Sequence, residues 1–493
     1  MPDSTVLQRR ESFSRNLRVL LLQPPRPEAV DKEYLATQIP INLCYLAAVL
    51  EKAQAEVRII DYFVDDYTAE LLTNELRDFR PDIVGIGSFT SSIKYVEPIA
   101  RTVKLFNPRI VTLLGGVHLS ALPQQTMPDV PSIDLGVVGE GEETLKEIYL
   151  AIKNGLPLCD IDGICYREDG RTVLTPRRAL IENLDDIPFP ARHLVPLEKY
   201  KRAHVSRGFS RKYLNIMELF TSRGCPNKCI FCAGHVNYGF KLRYRSFENI
   251  RAEILLLREQ YGIDHITFDD DTLTINRDLV VQVSSLLKEY NITFDCNARV
   301  NTVDYELLKH MKNCGCKKVS FGVESGSPRM LKLLKKGITV EQVKHAFRMA
   351  KKAGIKYIEG TFMMGGHPDE TLEDVEMTRK LMFELMPDFI SMSIIIPFPG
   401  TETCNLMVQR GLLSEKPDWA NYTFNVHKKL PFERLTYLTA SQLIALQAHI
   451  IKSYYMNPVY LLRKVLGIRS LRDLAYFVKL GRQFFSLFML KKN

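Results

Sequence analysis

Three cysteines stand close together in the stretch RGCPNKCIFC, residues 223–232. Cys225, Cys229 and Cys232 have the spacing Cys-x3-Cys-x2-Cys, which places three thiol ligands on one short loop. A structural zinc site needs a fourth ligand, and His235 could complete a Cys3His set. An iron–sulfur cube normally has four cysteine ligands, so three would leave one iron open to a non-protein ligand. The spacing favours this cluster, and zinc is the alternative.

The elements that must hold this loop are predicted from the second half of the chain. Between residues 211 and 414, strand-like runs alternate with amphipathic stretches and form six strand–helix units. A complete barrel of this kind has eight units, so we expect a partial (β/α)6 barrel of the TIM type. The cysteines follow its first strand, NIMELFTSR, and chemistry in such barrels lies at the C-terminal strand ends.

A separate α/β domain is predicted ahead of the barrel. Five apolar runs alternate with helical stretches over residues 17–150, which indicates a doubly wound, Rossmann-like parallel sheet. Ligands bind beyond the C-terminal strand ends of such sheets. Any single turn at these strand ends could be a tight turn without a ligand. Several such turns on one edge, all rich in small and polar residues, favour a bound ligand. The candidate contacts are Ser88, Thr90, Ser91, Gly115, Gly116, His118, Glu140 and Gly141. The first strand is followed by QPPRPEA, which lacks the glycines of a dinucleotide site.

The cysteine motif, with Phe231 directly before its last cysteine, resembles that of the radical S-adenosylmethionine (SAM) superfamily. The resemblance implies one 4Fe–4S cluster, with SAM bound to the open iron through its amino and carboxylate groups. It also implies reductive cleavage of SAM to a 5′-deoxyadenosyl radical, and hence an external electron donor of the flavodoxin or ferredoxin type. Phe231 is a candidate cofactor contact. No second cysteine cluster occurs, so one iron–sulfur cluster is expected.

Other strand-end motifs resemble the same family. Asp270 and Asp271, in TFDDDT, would contact the SAM amino group, although an acidic strand end can also simply face solvent. Glu324 and Ser325, in FGVESGS, would face the SAM ribose or carboxylate. Arg299, in CNARVN, would bind a carboxylate or cap its strand. The stretch GTFMMGGHPDET resembles the family's fifth-strand motif near the adenine without matching every residue.

The N-terminal domain resembles the cobalamin-binding domain of one large class of radical SAM enzymes. The segments QIPINLCYLAAVLE, PDIVGIGSFTSS, LLGGVHLS and VGEGEETL carry this resemblance, which implies cobalamin as a cofactor. The best-known cobalamin proteins place a histidine on cobalt with the motif Asp-x-His-x-x-Gly. Here GGV precedes His118, so no Asp lies two positions before it, and a bond to cobalt is not expected. His118 would line the cobalamin pocket or be a buried turn histidine.

The predicted domain plan has five parts. A flexible N-terminus (1–16) precedes the cobalamin-binding domain (17–180), a linker rich in Pro and Asp (181–210), the radical SAM barrel (211–414) and a helical C-terminal region (415–493). The last region interleaves Lys and Arg with apolar and aromatic residues. It would cap the barrel, or it would contact an anionic membrane surface and so suit a lipid or isoprenoid substrate. No basic module for nucleic acid is apparent.

Composition and charge indicate an ordinary globular protein with room for large cores. The formal net charge of +9 is modest for 493 residues and identifies no partner. The N-terminus has no apolar signal-peptide core, and no apolar run reaches the roughly 18 residues of a membrane span. The cysteines outside the motif are scattered and indicate no disulfide framework. We therefore expect a cytoplasmic protein, either free or peripheral to the inner face of the membrane.

The combined resemblance implies an enzyme that methylates an unactivated carbon of a small molecule, using the 5′-deoxyadenosyl radical and methylcobalamin. Such a carbon has no usable lone pair, so a polar methylation fails and a radical route is needed. One alternative is oxidative cyclisation, as in anaerobic magnesium-protoporphyrin monomethyl ester cyclases, or a ring rearrangement. A second is a non-catalytic cobalamin-binding or redox-sensing protein. The sequence does not identify the substrate.

Overall fold

The computed structural model describes residues 12–25, 38–203, 215–423 and 429–466, together with Val478. These residues form two large sheets with flanking helices, followed by a short helical region. Most of the predicted flexible N-terminus, the end of the predicted linker and nearly all of the chain after Leu466 lie outside the described residues.

The first sheet has seven strands, bounded as β1 Arg18–Gln23, β2 Glu56–Asp61, β3 Ile83–Gly87, β4 Val111–Gly115, β5 Leu135–Val137, β6 Ile164–Glu168 and β7 Arg171–Leu174. Their spatial order is β2-β1-β3-β4-β5-β6-β7. The first five strands are parallel, and β6 and β7 add an antiparallel edge. The strand order reverses between β1 and β3, and ligands bind at such reversals in doubly wound sheets.

Helices cover both faces of the first sheet. They are α1 Ile41–Lys52, α2 Ala69–Phe79, α3 Val96–Phe106, α4 Val117–Ala121, α5 Pro123–Asp129 and α6 Glu142–Asn154, and α7 Leu197–Ala203 follows in the connector. In β1, Val19 and Leu21 pack into one hydrophobic core, whereas Leu20 and Leu22 pack into the other. A strand buried on both faces has apolar residues at successive positions, which explains the run VLLL at residues 19–22.

The second sheet has six parallel strands in the order β15-β14-β13-β12-β11-β8. Its strands are β8 Ile216–Leu219, β11 His265–Phe268, β12 Thr293–Ala298, β13 Cys316–Glu324, β14 Tyr357–Met364 and β15 Phe389–Ile394. A two-stranded antiparallel hairpin, β9 Ser222–Arg223 with β10 Arg243–Tyr244, follows β8. Because β8 and β15 remain edges, the barrel is open, as predicted for (β/α)6.

The helices of the second half are α8 His235–Tyr238, α9 Phe247–Tyr261, α10 Arg277–Glu289, α11 Tyr305–Asn313, α12 Pro328–Leu333, α13 Val340–Ala353, α14 Leu372–Leu385, α15 Glu402–Gln409, α16 Ala440–Tyr455 and α17 Pro458–Leu466. Local signals set several of their ends. Thr339 and Gln342 form a capping box that starts α13, and Gly354 ends it in the left-handed conformation.

The C-terminal helices pack on the open edge of the barrel. Gln447 of α16 donates to the carbonyl of Met392 in β15 at 2.7 Å, and the Tyr454 hydroxyl donates to the carbonyl of Pro387 at 2.5 Å. This agrees with the predicted helical cap. No helix among the described residues is long and apolar enough to cross a membrane.

Candidate active site

The cysteine loop leaves the hairpin at β9 and returns to it at β10. All three thiols are half-buried, and none of them is in a disulfide. The loop begins at Gly224, whose φ is +85° and whose position would put a Cβ 2.3 Å from the carbonyl oxygen of Lys241. Only glycine fits there, so the hairpin itself sets where the first cysteine emerges.

Hydrogen-bond donors lie beside two of the cysteine sulfurs, as is common for thiolates that hold an iron–sulfur cluster. The Asn227 amide lies 3.3 Å from the Cys225 sulfur, and the Gly234 backbone N–H lies 3.5 Å from that of Cys232. No group of three or more His, Cys, Asp or Glu side chains in the described chain could hold one metal ion. A four-iron cube bonds each thiolate to a different iron, so its ligands lie further apart. His235, the suggested zinc ligand, has Nδ1 3.0 Å from the Cys232 carbonyl and stacks on Phe240.

The two predicted aspartates after β11 have different surroundings. Asp270 is 1% exposed and accepts from the backbone N–H and hydroxyl of Thr221 and from the Ser222 hydroxyl, at 2.6–3.1 Å. Its carboxylate is thus committed to the chain that leads into the cysteine loop. Asp271 is exposed and lies beside Gly234. The protein nevertheless shields its carboxylate in part from water, and this desolvation raises the pKa of the carboxyl group. Of the two, Asp271 is therefore the better candidate for the predicted contact with the SAM amino group.

Arg299 and Glu324 lie together beside Cys229, and Lys336 joins them. The Lys336 ammonium is 2.6 Å from Glu324 Oε1, and Arg299 donates to the carbonyl of Lys336. Burial raises the pKa of the Cys229 thiol, and the positive charges of Lys336 and Arg299 oppose this rise. Glu324 ends β13 with φ +67°, a left-handed conformation that is rare for a non-glycine residue. Such strain is most often found at functional sites. The structure therefore brings two of the predicted residues to the cysteine loop.

Ser325 and Phe231 are placed less directly. The Ser325 side chain is buried, accepts from the Ser327 backbone N–H at 3.1 Å and lies 3.1 Å from the Thr378 hydroxyl. These bonds shape the loop after β13, and the contact of Ser325 with SAM stays a prediction. Phe231 is half-buried against a small apolar cluster that includes Ile230 and Met330. It anchors the cysteine loop to α12.

The predicted ligand turns of the first sheet meet at the ends of β3 and β4. The Ser88 backbone N–H donates to the carbonyl of Gly115 at 2.9 Å. A Cβ on Gly116, at φ +111°, would lie 2.2 Å from the carbonyl oxygen of Ser88. Thr90 is buried and Ser91 is half-buried at the start of a 3-10 helix, Thr90–Tyr95. The bare glycine backbone lets these two strand ends touch, as a ligand-binding edge requires.

His118 lies in α4 just beyond this edge and is 2% exposed. Its Nδ1 has no hydrogen-bond partner in the described part of the chain, and its ring packs edge-on against Trp419 at 4.8 Å. Burial lowers the pKa of His118 to about 4, so the imidazole is neutral at physiological pH. An unpaired buried nitrogen at the ligand edge fits a residue that lines a cofactor pocket.

Glu140 and Gly141 both have close contacts within the protein. The Glu140 carboxylate accepts from Arg243 at 2.8 Å, from Arg223 at 3.1 Å and from the Ile181 backbone N–H at 2.9 Å. Its carboxylate is thus paired with the barrel domain, and its contact with a cofactor stays a prediction. A Cβ on Gly141 would lie 3.1 Å from a methyl of Leu46. This glycine lets α1 approach the start of α6.

The strand ends of the two sheets face one another. A Cβ on Gly400, in the loop after β15, would lie 3.3 Å from Cβ of Ala121 in α4. The Gln38 amide donates to Asp269, beyond β11, at 2.7 Å. A cleft of about 80 Å³ between the domains is lined by residues that include Asn42, Tyr45, Glu142, Arg223, Tyr238 and Asp271. A Cβ on Gly400 would also lie 2.8 Å from a methyl of Val236 in α8, which follows the cysteine loop, so the cysteine loop and α4 are neighbours across the domain interface.

Sequence reasoning missed three residues of this region. Arg223 adjoins the cysteine motif, so its position was a usable signal. Trp419 is the only tryptophan of the chain, which also could have marked it. Lys336, in KKGIT, carries no signal without the structure. It reaches the site only because the turn after α12 lies against the cysteine loop.

Two family profiles match the chain. The profile described as "Radical SAM superfamily" matches residues 219–382, and the one described as "B12 binding domain" matches residues 29–149. Their order agrees with the predicted one, and the predicted fold class is confirmed.

Several known proteins are similar over most of the chain. The chain is 35% identical to "Uncharacterized methyltransferase PH0819" of Pyrococcus horikoshii, over 91% of this chain and 95% of that protein. It is 28% identical to the anaerobic magnesium-protoporphyrin IX monomethyl ester cyclase of Rubrivivax gelatinosus, over 83% and 72%. The solved structure of TsrM from Kitasatospora setae, a radical S-adenosylmethionine methyltransferase with cobalamin and an iron–sulfur cluster bound, matches with a TM-score of 0.71 at 20% identity, over 90% and 92%. At this identity the structural likeness shows the fold.

Proposed function

Because the chain belongs to the cobalamin-dependent radical SAM enzymes, with a 4Fe–4S cluster, SAM and cobalamin as its cofactors, we propose that it transfers a methyl group to an unactivated carbon of a small molecule. One observation carries the proposal: α8, which follows the cysteine loop, and α4, which carries His118 at the ligand edge of the first sheet, both lie against Gly400. A carbon that loses hydrogen to a radical and then gains a methyl group must be reached from both cofactor sites. The closeness of the two sites would allow one substrate carbon to be reached from both.

When bound, the cofactors supply radical hydrogen abstraction and a transferable methyl group. The protein's own residues hold and orient them. Cys225, Cys229 and Cys232 would ligate the cluster, and the Asp271 carboxylate, beside the cleft, suits a cationic group. His118 would line the cobalamin pocket as a neutral imidazole. Tyr45 would help to form the apolar wall that keeps water from reactive species.

The test uses protein purified anaerobically with its cluster reconstituted. Extracts of an anaerobic host lacking the gene supply the unknown substrate. SAM with a deuterated methyl group is added with a reductant. We expect 5′-deoxyadenosine and a product that carries the deuterated methyl. Cys229→Ala should lose both, whereas the control Cys159→Ala, at an exposed cysteine outside the motif, should keep both. No labelled product from the active protein would contradict methyl transfer.

The second candidate function is oxidative cyclisation, favoured by the likeness to the Rubrivivax gelatinosus cyclase. The same experiment separates the two. A cyclase would yield 5′-deoxyadenosine and a product of lower hydrogen content that carries no labelled methyl. Absence of 5′-deoxyadenosine in a sample with an intact cluster would instead favour the sensor alternative.

An external one-electron donor is also part of the proposal. Pro226 and Lys228 are exposed at the tip of the cysteine loop. A donor could therefore approach the cluster from outside, and the Lys228 charge complements an acidic flavodoxin or ferredoxin. We expect Lys228→Glu to slow cluster reduction by flavodoxin and to leave reduction by dithionite unchanged. Equal rates with flavodoxin in both proteins would contradict this docking site.

The finer proposal for location is peripheral contact with an anionic membrane through the C-terminal region. Helix α17 directs its polar contacts inward, where Tyr460 donates to the carbonyl of Asp388 at 3.0 Å and Lys464 pairs with the Asp388 carboxylate at 2.7 Å. Its outward side chains are aliphatic and include Leu462, 60% exposed, and Val465, 64% exposed. The sequence beyond it, residues 467–493, has six Lys or Arg and one Asp among many apolar residues. Apolar surface beside basic charge is typical of membrane contact.

Vesicle sedimentation tests this contact. The protein should bind phosphatidylserine-rich vesicles and bind phosphatidylcholine vesicles weakly. A Leu462→Glu, Val465→Glu variant should lose most binding. The matched control is Leu105→Glu, which changes an equally aliphatic side chain, 81% exposed, on the first domain. Binding that the double variant keeps, or no binding to either vesicle, would overturn the proposal and favour coverage of α17 by the chain's own C-terminus. A membrane location would suit a lipid or isoprenoid substrate.

A further inference from the structure

Two buried cations lie beside one cysteine of the cluster loop. The side chains of Arg299 and Lys336 belong to residues that are 6% and 7% exposed. Both positive charges oppose the rise that burial causes in the pKa of the Cys229 thiol, and Glu324 accepts from the Lys336 ammonium at 2.6 Å. Two positive groups and one carboxylate therefore leave one positive charge in excess, and all three side chains belong to buried residues.

The backbone holds this charge at the loop. The Ile230 backbone N–H, one residue after Cys229, donates to the carbonyl of Leu334 at 3.2 Å. Two residues later, the Lys336 backbone N–H donates to Leu331 at 3.0 Å. The turn that carries the ammonium is thereby fastened to the loop that carries the thiol.

Strand β13 leaves room for the ion pair between Glu324 and Lys336, because it has a glycine at position 322. A Cβ on Gly322 would lie 2.7 Å from Glu324 Oε1 and 2.8 Å from the Lys336 nitrogen. Any larger residue at this position would displace one partner. The pair is therefore a built feature of β13.

Reduction of the iron–sulfur cluster adds one negative charge. Near an uncompensated buried cation, the reduced form is stabilised relative to the oxidised form, because Coulomb interactions are strong where water is excluded. Charge and hydrogen bonds to the sulfur ligands are established determinants of cluster potential. The exposed Lys335, one residue before Lys336, pairs with Glu402 at the surface instead and should have little influence.

We propose that Lys336 raises the reduction potential of the cluster and that Glu324 sets the size of this effect by neutralising part of its charge. Lys336 then makes the cluster easier to reduce before SAM is cleaved. The proposal rests on the cluster assignment and is independent of whether the reaction is methylation or cyclisation.

The experiment is a redox titration of the reconstituted cluster, followed by electron paramagnetic resonance without SAM, so that any role of Glu324 in SAM binding does not enter. At a fixed potential, Lys336→Met should lower the ratio of reduced to oxidised cluster by about tenfold. Glu324→Gln should raise that ratio, Lys336→Arg should stay near the wild type, and the matched control Lys335→Met should not change it.

Lys336→Met and Glu324→Gln are expected to change the ratio of reduced to oxidised cluster in opposite directions, so either variant can contradict the proposal. An unchanged ratio in Lys336→Met at normal iron content would overturn the proposal, as would a fall in the ratio in Glu324→Gln. If Lys336→Met fails to assemble a cluster, Glu324→Gln provides the test. The proposal is overturned if Glu324→Gln does not raise the ratio of reduced to oxidised cluster. Activity is not the readout, so failure here would leave the proposed methyl transfer standing.

Discussion

Arg223 lies two residues before the first cluster cysteine, and its guanidinium donates to Glu142 of the other domain at 2.6 Å. The same guanidinium reaches Glu140, which also pairs with Arg243. All four side chains are at most 9% exposed. A buried charge network thus joins the cobalamin-binding domain to the start of the cluster loop, and the distance between the two cofactor sites depends on it.

Removing one partner of this network should cost stability. Glu142→Gln or Arg223→Met leaves this buried network with one uncompensated charge, and we expect a loss of about 3–5 kcal/mol in the free energy of unfolding. The double variant should lose less than the sum of the two, because neither charge then remains alone. Urea unfolding followed by Trp419 fluorescence measures this. The control Lys344→Met removes an exposed pair with Glu384 and should cost about 0.5 kcal/mol or less. Additive losses would contradict a direct coupling.

Two glycines of the first domain give a matched pair of substitutions. Both Gly116 and Gly139 have positive φ, at +111° and +86°. A Cβ at Gly116 meets the Ser88 carbonyl oxygen at 2.2 Å, whereas nothing lies within 4 Å of a Cβ at Gly139. Gly139→Ala should therefore cost only the backbone term of about 1 kcal/mol. Gly116→Ala should cost several times more and weaken cobalamin binding, which absorption spectroscopy reports. Equal losses would mean that the strand ends can move apart.

The two aspartates after β11 should respond differently to amide substitution. Asp270→Asn replaces one of two accepting oxygens by a donor that faces Thr221 and Ser222, so we expect lower stability and lower iron content. Asp271→Asn should leave both near the wild type and weaken SAM binding by about tenfold, as measured by isothermal titration under anaerobic conditions. If Asp270→Asn weakened SAM binding at normal iron content, their assigned roles would be exchanged.

Much of the molecule could be predicted from local pattern. Each strand and helix carries its own hydrophobic pattern, so the alternation of apolar runs and amphipathic stretches predicts the parallel strands of both sheets. The cysteine spacing indicates an iron–sulfur or zinc site, because three thiols on one loop restrict the possible metal centres. Strand-end glycines such as Gly116 are also readable, since parallel strands place their C-terminal ends on one edge.

What could not be predicted depends on contacts between distant segments. Glu140 follows a strand in a turn of the kind that binds ligands, yet it pairs with Arg243, more than a hundred positions away. The sequence of the turn does not predict this partner. Asp270 and Asp271 are adjacent and alike in sequence, but they lie on opposite sides of the chain. Lys336 enters the site through a turn whose packing is set by the whole barrel.

His118 gives a prediction of pH dependence. Burial lowers its pKa to about 4 in the folded protein, whereas an unfolded chain has a histidine pKa near 6.5. Between these values the unfolded chain binds a proton that the folded protein does not, so stability rises with pH and is lost on acidification. The loss from pH 6.5 to pH 5 should be about 2 kcal/mol. Denaturant titrations at pH 7.5 and pH 5 measure it. His118→Gln should lose less stability over this range than the wild type by that amount, while the exposed control His449→Gln should follow the wild type. Parallel curves for His118→Gln and the wild type would mean that His118 becomes protonated within the fold, and that its pocket admits water or a counter-charge.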